Sequence, residues 1–269
     1  MRPARLETRP RKRFGQHFLH DPAVIERIAA AVGIRGGDAL VEIGPGRGAL
    51  TGHLLESDCG SLDAIEIDRD LAGLLQAEFA ADPRFCLHNA DALRLDFSAL
   101  ARRRGQPLRV VGNLPYNIST PLLFHLLASV RDISDLHVML QREVIARMAA
   151  QAGDPAYGRL TVMLSPWVEV EHLFDVGPGA FQPPPRVWSA VARLAVRAEP
   201  AFSISPAFAA VVAAAFSHRR KTLRNALRGL ATTEQIEACG VDPATRPETV
   251  SPVQFNAIAG TVKLPSAAS

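Results

Sequence analysis

The sequence predicts an α/β domain built on a parallel sheet with an antiparallel edge pair, followed by a small, all-helical carboxyl-terminal domain. Three observations predict it. Five short apolar runs between Ala39 and Leu140 alternate with helix-length segments, a glycine turn follows the first run directly, and strand patterns vanish beyond about residue 200. A chain of 269 residues, 48% apolar and 21% charged, is long enough for one large domain with a small companion. The expected division is a flexible basic arm over 1–20, the sheet domain over 21–200 and the helical domain over 201–269.

Asp21-Pro22 supplies an N-cap and an N1 proline for a first helix with apolar Val24, Ile25, Ile28 and Val32, stopped by Gly33. Strands are expected at Ala39 to Ile43, Leu62 to Ile67, Phe85 to His88, Arg109 to Val111 and Leu136 to Leu140. Two more apolar stretches, Trp167 to Val176 and Val187 to Val196, flank the rigid FQPPP turn and complete the sheet as the antiparallel pair. Ser205-Pro206 then opens a helix carrying Phe208, Val211, Val212, Ala215 and Phe216. Thr232 with Gln235, and Ser251-Pro252 with Gln254, read as capping boxes for two shorter ones.

The longest apolar stretches, such as Ala209 to Phe216, fall far short of the ~20 residues that span a bilayer. The start MRPARLETRPRKRFG has no hydrophobic leader core, so a soluble, cytoplasmic protein is expected, by default a monomer. Cys59, Cys86 and Cys239 are odd in number and widely spaced, which supports neither a disulfide framework nor a metal site. Net charge is only +3, yet residues 1–20 carry six Lys/Arg against Glu7, and residues 201–230 carry five and no acid. Two basic patches on an otherwise acidic body fit a polyanion, most plainly nucleic acid.

In VEIGPGRGALT, residues 41–51, Gly44, Gly46 and Gly48 allow a tight turn and a close backbone approach to a ligand, with a helix starting near Ala49. The spacing is G-x-G-x-G, not the G-x-G-x-x-G of dinucleotide sites. Glu66, in AIEID at the next strand tip, suits two ribose hydroxyls, while Asp68 is the competitor or simply the next helix cap. Asp91 in NADAL can accept from an adenine amine. An adenosine is thereby accounted for, but no basic residue addresses phosphates, which turns the reading from a dinucleotide towards S-adenosylmethionine. Glu42 inside the first strand needs a partner: glycine-loop amides, a ligand ammonium, or a bracing contact.

VVGNLPYNIS, residues 110–119, follows the fourth strand. An exocyclic adenine amine is a poor nucleophile, because its lone pair is delocalised into the ring. A site that methylates it must accept hydrogen bonds from its N–H groups and hold the base beside the donor methyl. Asn113 offers a side-chain carbonyl, Leu114 a backbone carbonyl freed by rigid Pro115, and Tyr116 a ring for stacking. Phe181, before three prolines in FQPPPRVWSAV, is a candidate second ring, with core packing as its plain alternative.

These motifs, with RKRFGQHFLHD, AIEIDRDLA, MLQREVIARM, YGRLTVM and SHRRKTLRNAL, cover nearly the whole chain, and together the sequence resembles the KsgA/Dim family of small-subunit ribosomal RNA adenine dimethyltransferases. The resemblance implies a Rossmann-like methyltransferase sheet. It also implies transfer of methyl groups from S-adenosylmethionine to N6 of two adjacent adenosines in the 3′-terminal hairpin of 16S rRNA, within an immature 30S subunit. His17, Leu19, Gly44, Gly46, Glu66, Asp91 and Asn113 would then touch the cofactor, and Asn113, Leu114, Tyr116 and Phe181 the target base. The family often has Asn where this chain has His17. RNA would be held by Arg11, Lys12 and Arg13 of the arm, and by Arg220, Lys221, Arg224 and Arg228. The arginines of the second patch recur every four residues, as one face of a continuous helix with Leu223, Leu227 and Leu230 turned inward. The alternatives are a 23S rRNA dimethyltransferase of the antibiotic-resistance type, which lacks the RRKTLRNAL and YGRL pattern, and an assembly checkpoint in which binding matters more than catalysis.

Overall fold

The computed structural model describes residues 16–218 and 220–263. Contacts divide it into two compact units: residues up to 145 with 170–196, and residues 146–169 with 197 onward.

The first described strand is β1 (Phe18–Leu19), so the end of the expected arm belongs to the first unit; Arg11, Lys12 and Arg13 lie outside the described residues. Asp21 accepts hydrogen bonds from the N–H groups of Ala23 (2.9 Å) and Val24 (3.3 Å). It thereby caps α1 (Pro22–Val32), which Gly33 ends at a φ of 56°. There follow β2 (Ala39–Ile43), α2 (Ala49–Leu55), β3 (Ser61–Ile65), α3 (Arg69–Phe79), β4 (Phe85–His88), α4 (Phe97–Arg104), β5 (Leu108–Asn113), α5 (Ser119–Ala128) and β6 (Ile133–Gln141). β2 to β6 pair in parallel, and β2 is buried along its whole length, as a central strand covered on both faces must be.

After α6 (Arg142–Ala149) and α7 (Arg159–Leu164) come β7 (Val168–Val176), β8 (Phe181–Gln182) and β9 (Ser189–Val196). The main sheet runs β4-β3-β2-β5-β6-β9-β7, with β9 antiparallel to β6. The strand order therefore reverses between β2 and β5. Connections leave in opposite directions there, which opens a crevice beyond the carboxyl ends of those strands.

The second unit is helical. α7 packs with α8 (Phe208–Ala215), α9 (Leu223–Ala226), α10 (Thr233–Ala238) and α11 (Pro252–Thr261) around Val162, Val212, Leu223 and Phe255. Residues 146–169 belong here and not to the sheet domain expected over 21–200: Tyr157 lies in this core and donates its hydroxyl to the Val250 carbonyl at 2.7 Å. The Thr232 and Ser251 capping boxes form as expected, while α8 begins at Phe208, past Ser205-Pro206.

The expected basic helix is corrected. Thr222 is extended (ψ 159°), and α9 is a single turn, so Arg220 and Lys221 precede it and Arg228 follows it. The N–H groups of Leu223 and Arg224 bond to the carbonyls of Thr245 (2.8 Å) and Pro243 (3.0 Å), contacts that replace the helical partners a continuous helix would supply. Leu223 and Leu227 are buried, Leu230 is half-buried, and Arg220, Lys221, Arg224 and Arg228 are exposed. No helix among the described residues is long and apolar enough to cross a membrane.

Candidate active site

A cleft of about 240 Å³ opens at the strand-order reversal. Its walls include Gly44 and Gly46 after β2, Glu66 after β3, Asp91 after β4, and Asn113 to Tyr116 at the end of β5. His17 closes one side. No lysine or arginine stands among the described residues that line it.

The glycine turn is forced by space as well as by backbone angle. Gly46 has a φ of 59°, and a Cβ there would sit 3.1 Å from the Phe18 ring; Gly48 has a φ of 75°, and a Cβ there would lie 2.7 Å from the Phe79 ring. The turn is thus clamped between β1 and α3, and the Arg47 guanidinium lies 4.5 Å from the centroid of the Phe18 ring.

Glu66 is 5% exposed. Its Oε2 accepts from the Gly46 N–H at 3.2 Å and its Oε1 from the Asp68 N–H at 2.9 Å. A carboxylate has about four acceptor positions, so each oxygen retains capacity for a ligand hydroxyl. Burial raises its pKa, and the two amides partly offset that. Asp68 takes the cap role, accepting from the Asp70 N–H, and also receives the Gln16 side chain at 3.2 Å. Asp91 caps a short 3-10 turn through the Leu93 N–H at 2.9 Å while its side lines the cleft.

Glu42 is 2% exposed and braces the turn–helix junction, accepting the Thr51 hydroxyl at 2.6 Å. Burial, partly offset by that hydroxyl and reinforced by the Glu66 charge, pushes its pKa up to about 7. The folded chain holds this proton more tightly than the unfolded chain, whose value is near 4.5. The associated stability is therefore full below about 4.5 and is lost as pH rises through 7. Glu42→Gln keeps an acceptor for Thr51 and removes the titration. Its Tm is expected to change less between pH 5 and pH 8 than that of the native chain, and thermal scans giving identical slopes would refute the assignment.

Asn113 donates its Nδ2–H to the His17 carbonyl at 3.1 Å. Because a carbonyl can only accept, this bond fixes which end of the carboxamide points where, and Oδ1 bonds to none of the described residues. The Leu114 N–H is tied to the Met139 carbonyl at 3.1 Å, whereas the Leu114 carbonyl accepts from none of the described residues. Tyr116 bonds through its hydroxyl to Ser189 Oγ, and burial raises its pKa, so the phenol stays protonated near neutrality.

Two expected residues stand elsewhere. Phe181 is 2% exposed, pairs through its backbone with Leu19, packs among Leu54, Phe174 and Val191, and does not line the cleft. Core packing fixes it there. Leu19 borders a smaller adjoining hollow with Glu42 and Arg47. The aromatic partner near Tyr116 is instead His17, whose ring lies 5.7 Å away at 27° and whose Nδ1–H donates to the Pro183 carbonyl at 2.7 Å. Sequence reasoning also missed Ile67 and Leu93, which line the cleft beside Glu66 and Asp91. Ile67 is 45% exposed, and an apolar residue set directly after a strand-tip acid was the available signal.

The match to known proteins agrees with this geometry. The family model for ribosomal RNA adenine dimethylase matches residues 7–263. A Pseudomonas aeruginosa protein named Ribosomal RNA small subunit methyltransferase A is 53% identical over 249 residues, 92% of each chain. Its namesake from Nitrosococcus oceani is 54% identical, covering 91% of this chain and 93% of its own. Among solved structures, the 23S rRNA methyltransferase ErmE shares 28% identity at a TM-score of 0.70, covering 90% of this chain and 98% of its own. A dimethyladenosine transferase from Plasmodium falciparum shares the fold at a TM-score of 0.76 and 22% identity, covering 90% of this chain and 96% of its own. With a family model spanning almost the full length and relatives that share half their residues with it, the chain belongs to the ribosomal RNA adenine dimethylase family.

Proposed function

We propose that this chain transfers methyl groups from S-adenosylmethionine to N6 of two adjacent adenosines in the 3′-terminal hairpin of 16S rRNA, acting in the cytoplasm as a monomer on an immature 30S subunit. The observation that carries the reading is the fixed Asn113 carboxamide: with its N–H end committed to His17, its oxygen is left to accept from an amine. The Leu114 carbonyl is the second acceptor, and together they orient an N6 amine while the Tyr116 ring stacks on the base.

The cleft suits the cofactor by its chemistry. Glu66 has acceptor capacity for ribose hydroxyls, Asp91 for an adenine amine, and a wall without lysine or arginine among the described residues suits a ligand without phosphates. S-adenosylmethionine supplies, when bound, an electrophilic methyl on a sulfonium sulfur. The chain's own contribution is orientation, which is worth on the order of 7–11 kcal/mol in well-aligned reactions. Tyr116 is no base here, since it stays protonated and is held by Ser189. Glu66→Ala is expected to weaken S-adenosylmethionine binding roughly 10- to 100-fold by calorimetric titration, the value of at least one charged hydrogen bond to a ribose hydroxyl. Unchanged affinity would remove Glu66 from the site.

Incubating the protein and labelled S-adenosylmethionine with unmethylated 30S particles, beside naked 23S rRNA, tests the proposal. Mass mapping should find dimethyladenosine at two neighbouring positions of the small-subunit RNA. No transfer to 30S, or transfer to 23S rRNA alone, would overturn it.

A further inference from the structure

Trp188 is 51% exposed, with Val187 beside it at 43%. Apolar side chains exposed side by side belong to the kind of surface that contacts use, whereas a lone one needs no explanation. The position of Trp188 within the sheet is informative. Along the edge formed by the carboxyl ends of the parallel strands, β4, β3 and β2 lead to Asp91, Glu66 and Gly44, and β5 leads to Asn113 to Tyr116. The next strand outward, β6, ends at Gln141, which is in register with Ser189 at the start of antiparallel β9. Arg142 and Trp188 therefore continue the same edge, one strand beyond the residues around the target base.

The indole is held without being covered. Its backbone carbonyl accepts the Arg142 N–H at 3.0 Å, its six-membered ring lies over Gly177, where a Cβ would be 3.6 Å from Cη2, and the Arg142 guanidinium stands 5.9 Å from the ring centroid. Arg142 pairs with Asp175 at 3.5 Å, and Asp175 also bonds His172. Both partners of the Arg142 pair are solvent-accessible, and such pairs are weak enough to exchange for a phosphate. Ser189, the neighbour of Trp188, holds the Tyr116 hydroxyl, so one residue links the exposed indole to the ring at the target base.

We infer that Trp188, flanked by Arg142, is a stacking platform for the unpaired nucleotide adjacent to the methylated adenosine. Extruding an adenine from a hairpin strips its neighbour of a stacking partner; an indole replaces that partner whatever the base, and a guanidinium beside it meets the backbone phosphate. The inference rests on the RNA-methylating reading above and adds a subsite to it.

Steady-state methylation of unmethylated 30S particles by the native chain, Trp188→Ala and Trp188→Phe tests it, with thermal melting to verify that each variant is folded. Trp188→Ala is expected to raise KM for the particle about 5- to 150-fold, the range for loss of one base–aromatic stack, with kcat and S-adenosylmethionine affinity held and Trp188→Phe close to native. The indole fluorescence lost in Trp188→Ala, which separates Trp188 from Trp167, should be quenched in the native chain by a short single-stranded RNA. A Trp188→Ala KM within twofold of native, in a preparation that methylates normally, would overturn the platform. If the native chain methylates nothing, the functional reading has failed. The quenching experiment then decides: Trp188-specific quenching by RNA supports the platform, and none refutes it.

Discussion

Asn113→Ala is expected to lower kcat for methyl transfer roughly 100- to 1,000-fold while leaving the fold and the affinity for RNA in place. That range is the usual cost of removing one preorganised hydrogen-bonding group or misplacing a reacting atom by about 1 Å. The acceptors proposed for the amine are the Asn113 Oδ1 and the Leu114 carbonyl, and the second is main chain, so Asn113→Ala removes the one of the pair that a substitution reaches. Asn113→Asp separates acceptance from positioning. It retains lone pairs but loses the N–H that reaches the His17 carbonyl, setting two acceptors 3.1 Å apart. Its activity should fall between those of the native chain and Asn113→Ala. Single-turnover measurements check both variants, and full activity of Asn113→Ala would remove the carboxamide from the chemistry.

The parts legible in the sequence were those governed by short-range rules. Asp21, Thr232 and Ser251 cap their helices through contacts within three residues, and short apolar runs alternating with helix-length segments set β2 to β6 with their intervening helices. Glu66 and Asn113 could be placed because a βα unit delivers the residue after each parallel strand to one edge. The failures lie where distant segments decide. Phe181 is drawn into the core by pairing with Leu19, over 160 positions earlier in the chain, and nothing within FQPPP announces it. His17, expected at the cofactor, comes beside Tyr116 through the pairing of β1 with β8, a contact between rings that the local sequence does not announce. The arginines from 220 to 228 satisfy a helical period, yet the amides at the start of α9 find carbonyls in the 243–245 loop and the helix shrinks to one turn. Residues 146–169 carry no composition break, and it is long-range contacts, Tyr157 reaching Val250 and Val162 packing beside Val212, that reveal which core they serve.

Arg109→Ala is expected to cost about 3–5 kcal/mol of stability, enough to bring a domain of ordinary stability near unfolding. Arg109 sits on β5, four residues before Asn113, with its side chain 12% exposed. Its Nε and Nη2 donate to the two oxygens of Asp135 on β6 at 2.9 and 2.8 Å, and its Nη1 donates to Asp38 ahead of β2 at 2.6 Å. The same guanidinium reaches the Val32 and Gly33 carbonyls at the end of α1, at 2.5 and 3.2 Å. One side chain thus ties three elements to the strand that presents Asn113. Removal leaves Asp135, 8% exposed, with the more distant Arg193 at 3.8 Å and His137 at 3.9 Å, and strips two carbonyls of a donor. Burial alone would raise the pKa of Asp38, but the Arg35 amide and Arg109 outweigh it and hold the value below 3.8. Stability from Asp38 is therefore present above that pH and lost as pH falls through the lowered value. The deficit of Arg109→Ala should accordingly be largest at neutral pH and shrink in acid, where the Asp38 contribution is lost. Arg109→Lys keeps the charge but not the fork, and should recover only part of the loss. Urea unfolding of the three proteins at pH 7 and near pH 3 gives the answer: a deficit that did not vary with pH would mean that Arg109 stabilises the strand through packing and the two carbonyls, and not through its acids.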